Sequence, residues 1–276
     1  MIRFNCHSMI GRRFLTSLNL SKKKRSMAMQ FSTGGVQHHD VEVDQANGYI
    51  TFTPIKERSE HSATVVFSHG LGDMANGWAP GVWAIASMQK LDHVKFILPT
   101  ASSKPVSINN GFVMPSWYDI EGHSDRSMEP YEGLNDSKDI ILDIVESEVK
   151  NGIDGSRIVL AGFSQGAALS LYSSFHLPFQ SAGICCCSGY LPHPKTFSDW
   201  RTDHAFKSPI RIFHGEQDNV VPPSLAKESY DIIKAAGAED IGMKTYAGLE
   251  HSASDEELQD VAKELLGMLP ESTPSL

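Results

Sequence analysis

Arg157-Ile158-Val159-Leu160-Ala161-Gly162-Phe163-Ser164-Gln165-Gly166-Ala167-Ala168-Leu169-Ser170-Leu171-Tyr172 is the stretch on which the reading of this 276-residue chain turns. Its opening residues form a short apolar run of the kind buried in a parallel sheet, and Ala167 to Tyr172 read as a helix. Between them, Gly162-Phe163-Ser164-Gln165-Gly166 fits G-x-S-x-G, a serine lifted off a sheet on a sharp strand-to-helix turn. The two glycines suit a turn where neighbouring backbone passes too close for a Cβ. The helix that follows aims its first amides at negative charge developing during attack on a carbonyl. Alone the pattern is weak; the strand before it and the helix after it make it specific. The competing reading is a glycine-flanked serine that merely caps a helix.

Outward from this turn, short apolar runs alternate with segments of helical period. Strands are expected at Tyr49–Thr53, Thr64–Ser68, Val94–Leu98, Ala182–Cys187, Ile210–His214 and Ile241–Tyr246, besides Arg157–Ala161. Helices are expected near Trp78–Gln89, Asn135–Lys150, Gln165–Phe175, Ser224–Ala236 and Ser254–Leu269. The clearest places Ile140, Ile141, Ile144, Val145 and Val149 at helical spacing, with Gly152 where a left-handed C-terminal residue belongs. Alternation of this kind predicts an α/β fold, a mostly parallel central sheet with helices on both faces. Ligands then bind where strand ends run into loops.

A serine hydroxyl needs a base, and the base needs a group that fixes its tautomer. The chain order Ser, acid, His is that of the α/β-hydrolase fold. Asp218 lies in a loop past the strand Ile210–His214, as the orienting carboxylate should; Glu216, nearer the strand end, is its competitor. His251 follows the last strand and is the only histidine after Asp218, which makes it the base; His204 and His214 come too early in the chain. The predicted catalytic set is Ser164, Asp218 and His251. For the oxyanion hole, His69-Gly70-Leu71-Gly72-Asp73 after an early strand and the residue following the nucleophile nominate the backbone N–H groups of Leu71 and Gln165. His69 is expected to brace that loop. Residues 188–208, where this fold often carries a cap domain, are too few for a large one.

Charge is unevenly placed. Residues 1–39 hold seven Lys and Arg and no acid, so the other 17 bases face all 33 acids, a net of about −16. An acidic body argues against a nucleic-acid partner. The chain divides into a basic N-terminal extension, 1–35, and a hydrolase domain, 40–272. The extension has transit-peptide composition and no apolar core of a secretory signal; a disordered extension ahead of an internal start at Met27 or Met29 fits equally. No apolar run is long enough to cross a bilayer. Cys185, Cys186 and Cys187 alternate faces along a strand and cannot converge on one metal, so a buried strand in a reducing compartment is expected, with no metal site.

With these pieces placed, residues from about Ala63 to Pro270 resemble the acyl-protein thioesterases. The resemblance is carried by His69-Gly70-Leu71-Gly72-Asp73 with Gly77-Trp78, by Met114-Pro115-Ser116-Trp117-Tyr118-Asp119-Ile120, by the turn around Ser164, by His214-Gly215-Glu216-Gln217-Asp218 and by Glu250-His251-Ser252. It implies hydrolysis of S-palmitoyl groups on protein cysteines, with activity on lysophospholipids and short esters, and neither cofactor nor metal. It also implies a cytoplasmic enzyme, from which the basic extension departs by offering a mitochondrial alternative; peripheral membrane contact and a weak homodimer are further expectations. Leu71, Trp117 and Ile120 match positions lining the acyl channel or stand beside them, as does Tyr190, where many relatives have Trp. Glu121 and His123 make the following loop more polar than usual. A lysophospholipase or broad carboxylesterase uses the same residues. A binding protein on an inactive hydrolase scaffold would show a damaged triad, which this chain does not.

Overall fold

The computed structural model describes residues 38–88, 90–122 and 126–271; the basic extension and His123 lie outside them. Eight strands form one sheet in the order β1-β2-β4-β3-β7-β8-β9-β10. They are β1 (His39–Asp44), β2 (Tyr49–Pro54), β3 (Ala63–Ser68), β4 (Val94–Leu98), β7 (Ile158–Phe163), β8 (Gly183–Cys187), β9 (Ile210–Gly215) and β10 (Ile241–Tyr246). Two antiparallel pairings, β1 with β2 and β2 with β4, close one edge, and every pairing from β4 to β10 is parallel. A separate hairpin joins β5 (Ser103–Val106) to β6 (Phe112–Pro115).

The central strands β3, β7 and β8 are buried along their whole length, as strands covered on both faces must be. Helices α1 (Ala75–Met88) and α6 (Asp255–Met268) cover one face, through residues such as Val82, Ile85, Val261 and Leu265. On the other face pack α2 (Leu134–Lys150), α3 (Gln165–Ser174) and α5 (Pro223–Ala235). Consecutive residues of β8 divide between the layers: Cys185 and Cys187 join the α1/α6 core, Cys186 the core under α3 and α5. Burial pushes all three thiols up, that of Cys185 to about 12. Residues 188–208 hold only short turns and α4 (Phe197–Trp200), whose Phe197 and Trp200 pack on Phe175 and Tyr172 beside α3.

Three differences from the sequence reading have physical causes. Strand β1 was not expected because its polar residues hide the pattern: only His39 and Val41 are buried, against the sheet edge. The hairpin was not expected because Phe112 and Val113 face solvent, so no period-2 burial marks it. In α2 the buried stripe is Leu134, Ser137, Ile141, Val145 and Glu148, and Ile140 and Val149 lie off it, exposed. Gly152 does take the left-handed conformation, at φ 99°.

Candidate active site

Four strand ends deliver the site. β3 runs into the loop carrying Leu71, β7 into Ser164, β9 into the loop of Asp218, and β10 into the loop of His251. At the turn between β7 and α3, Ser164 adopts φ 55° and ψ −120°, a conformation rare outside glycine, and its N–H is held by the Cys187 carbonyl at 2.8 Å. The turn is possible because β3 passes directly beside it: a Cβ on Gly166 would sit 2.2 Å from the Ser68 carbonyl oxygen. A second close crossing lies at Gly215, where a Cβ would meet the Leu249 carbonyl at 2.3 Å. That crossing, with Gln217 N–H donating to Leu249 O at 2.9 Å, brings the loops of Asp218 and His251 together.

The result is a continuous hydrogen-bonded line. Ser164 Oγ lies 2.9 Å from His251 Nε2, and His251 Nδ1 lies 2.6 Å from Asp218 Oδ2. Asp218 Oδ1 accepts the N–H groups of Val220 and Val221 at 2.9 and 2.8 Å. Burial alone would raise the Asp218 carboxyl, but hydrogen bonds from His214 and His251 outweigh it and hold it well below the usual carboxylate range. Asp218 is therefore ionised, Nδ1 of His251 carries the proton, and Nε2 is free to accept one from Ser164. Glu216 is exposed and accepts from Thr245 Oγ1 instead, at 2.8 Å, so it does not orient the imidazole.

Among the described residues, no protein acceptor takes the N–H of Leu71 or of Gln165. Both belong to backbone that is fixed from behind. His69 Nε2 accepts from Ala101 N–H at 3.0 Å, which leaves the proton on Nδ1 to donate to Gly70 O at 2.7 Å. Burial lowers this imidazole to about 4, so it stays neutral. The Gln165 side chain accepts from Trp117 N–H at 2.9 Å and donates to Tyr118 O at 2.7 Å. Residues 116–118 thus tie the two amide-bearing turns into one frame, since the Trp117 indole N–H donates to His69 O at 2.8 Å.

That contact corrects one expectation. Trp117 is fully buried and takes no part in lining the cavity that Ser164 borders. Its indole needs an acceptor once buried, and His69 O supplies it from the rear of the loop. Leu71, Ile120, Tyr190, Ser164 and Gln165 do border one cavity, of about 60 Å³. Sequence reasoning missed its other walls: Ile108, Asn109, Arg126, Val220 and Val221. Asp119 was the available signal for two of them, because its carboxylate accepts Ser107 N–H at 2.7 Å and so holds the turn that presents Ile108 and Asn109. Among the described residues, no group of three or more His, Cys, Asp or Glu could hold a metal ion.

Behind Asp218, in the first turn of α6, Glu257 is fully buried, and neither carboxyl oxygen has a hydrogen-bond partner among the described residues. Burial pushes its carboxyl up from 4.5 to about 7. With the folded value raised, the stabilisation is complete below about pH 4.5 and is lost as pH rises towards 7. Glu257→Gln is expected to stabilise the fold at pH 8 by about 3 kcal/mol and to flatten that slope, measured by urea unfolding across the range. An unchanged slope in the variant would assign it to another group.

A family model described as phospholipase/carboxylesterase matches residues 52–268. The acyl-protein thioesterase 1 of Gibberella zeae is 42% identical over 219 residues, which are 77% of this chain and 93% of that protein. An acyl-protein thioesterase 1 homologue of Dictyostelium discoideum is 40% identical over 81% of this chain and 96% of its own length. The crystal structure of acyl-protein thioesterase 2 from Zea mays superposes with a TM-score of 0.67 at 29% identity, covering 76% of this chain and 95% of that one.

Proposed function

This chain belongs to the phospholipase/carboxylesterase family of α/β hydrolases, and from that premise we propose that it hydrolyses fatty-acyl thioesters on protein cysteines, S-palmitoyl groups among them, through an acyl-enzyme on Ser164. One observation carries the reading: the line Ser164–His251–Asp218 ends at a cavity bordered by two unclaimed backbone amides.

In the proposed cycle, Ser164 Oγ attacks the thioester carbonyl as its proton passes to His251 Nε2. The N–H groups of Leu71 and Gln165 take the charge that forms on the carbonyl oxygen. The carbon–sulfur bond then breaks, His251 returns the proton to the departing thiol, and the acyl group stays on Ser164. Water, deprotonated by His251, attacks this ester; the bond to Ser164 Oγ breaks as His251 returns the proton to it, and the fatty acid leaves. Thiols suit such a site because their pKa, about 8.5, makes them better leaving groups than alcohols.

A lysophospholipase would use the same residues, and substrate preference separates the two. An S-palmitoyl peptide is expected to exceed lysophosphatidylcholine in kcat/KM by at least about tenfold, the margin the difference in leaving group supports. The reverse order would overturn the thioesterase reading in favour of the lysophospholipase.

A further inference from the structure

We propose that Arg126 ends the acyl cavity, so that within the thioesterase reading, on which this inference rests, acyl carbons beyond medium length bring no gain in efficiency. The cavity that Ser164 borders is also bordered by Arg126, and its volume is about 60 Å³. A cavity of about 150 Å³ takes one benzene ring, so this one has room for only a few carbons of an acyl chain.

The wall at Arg126 is held in place. Its guanidinium donates to Glu129 Oε1 at 3.0 Å and lies over the Tyr190 ring, 5.3 Å from the centroid. Glu129 is buried and is itself fixed by the N–H groups of Glu121 and Gly122, at 2.9 and 2.8 Å. Tyr190 is pinned through its hydroxyl to Tyr118, 2.9 Å away. A chain that pushed Arg126 aside would break its ion pair with the buried Glu129 carboxylate, an unfavourable step. A chain that stopped at Arg126 would leave further methylenes in water, where they add nothing to binding.

Each methylene that finds apolar wall improves kcat/KM by about fourfold. That rise should end where the chain meets the guanidinium.

The test is a series of S-acyl thioesters of one cysteine peptide, with acetyl, butanoyl, octanoyl, dodecanoyl and hexadecanoyl groups, assayed with the full chain below their aggregation limits. Wild type is expected to rise to a plateau by octanoyl and to turn over hexadecanoyl no more efficiently than octanoyl. The double variant Arg126→Leu/Glu129→Gln removes both charges of this pair together and should shift the hexadecanoyl-to-octanoyl ratio upward by about tenfold through a lower KM. Arg126→Lys keeps a cation in the wall and should keep the wild-type order. A wild-type preference for hexadecanoyl, an unmoved ratio in the double variant, or a Lys variant that behaves like the double variant overturns the proposal while leaving the thioesterase reading in place. Failure of wild type to cleave any member overturns that reading, and this inference with it.

Discussion

Ser164→Ala is expected to lower turnover of an acyl thioester by about 10⁶, the loss typical when the nucleophile of such a set is removed. The size of the effect follows from the way the site is built. Among the described residues, the hydroxyl hydrogen-bonded to His251 Nε2 is that of Ser164, and without it the imidazole can only assist water from a distance. The two amides continue to polarise the carbonyl, so a residue of catalysis survives, worth about 10³–10⁴ over water. The fold should not change, because the Ser164 N–H bond to Cys187 O belongs to the backbone and alanine keeps it. Steady-state rates and mass spectrometry of the trapped acyl-enzyme check the result together. A variant that retains a tenth of wild-type turnover, or still carries an acyl adduct, would remove Ser164 from its role.

Asp218→Asn is the second large effect, a loss of about 10⁴ in kcat with little change in KM. Asp218 does not border the cavity, so substrate binding has no direct stake in it. Its carboxylate is an acceptor at 2.6 Å from His251 Nδ1. An asparagine there can present its amide N–H instead, and the imidazole then moves its proton to Nε2. That nitrogen faces Ser164 at 2.9 Å and would donate where it must accept. Glu216→Gln is the control, since Glu216 spends its carboxylate on Thr245. Near-wild-type kcat in Asp218→Asn, or the large loss in Glu216→Gln, would reassign the orienting acid.

The polypeptide announces its catalytic centre more openly than its cavity. Residues 162–166 must follow a fixed pattern because β3 crosses within contact of Gly166, so the chemistry is written in adjacent letters. Asp218 and His251 were legible by chain order and by their place after apolar runs. The cavity beside Ser164 has no such local code: its walls come from loops near positions 71, 108, 120, 126, 190 and 220, and which side chain turns inward depends on packing among them. Trp117 shows the difficulty. It sits in the most distinctive segment of the chain, yet that segment fastens His69 and Gln165, and the indole is buried with its N–H on the His69 carbonyl. Arg126 stayed invisible for the opposite reason, a lone cation in a polar loop that only the fold sets beside Ser164. Strand β1 and the hairpin were lost to their exposed faces, where burial imposes no alternation.

The three thiols on β8 matter to a catalyst that handles activated acyl groups. Cys187 precedes the residue that follows β8, one strand away from the serine turn, and a thiolate so near could intercept an acyl group on its way to water. Burial raises the thiol of Cys185 to about 12 and acts in the same direction on its two neighbours, so all three stay protonated at neutral pH. Sealed in the two cores, these sulfurs are bystanders, and the enzyme is spared from becoming its own substrate at that strand.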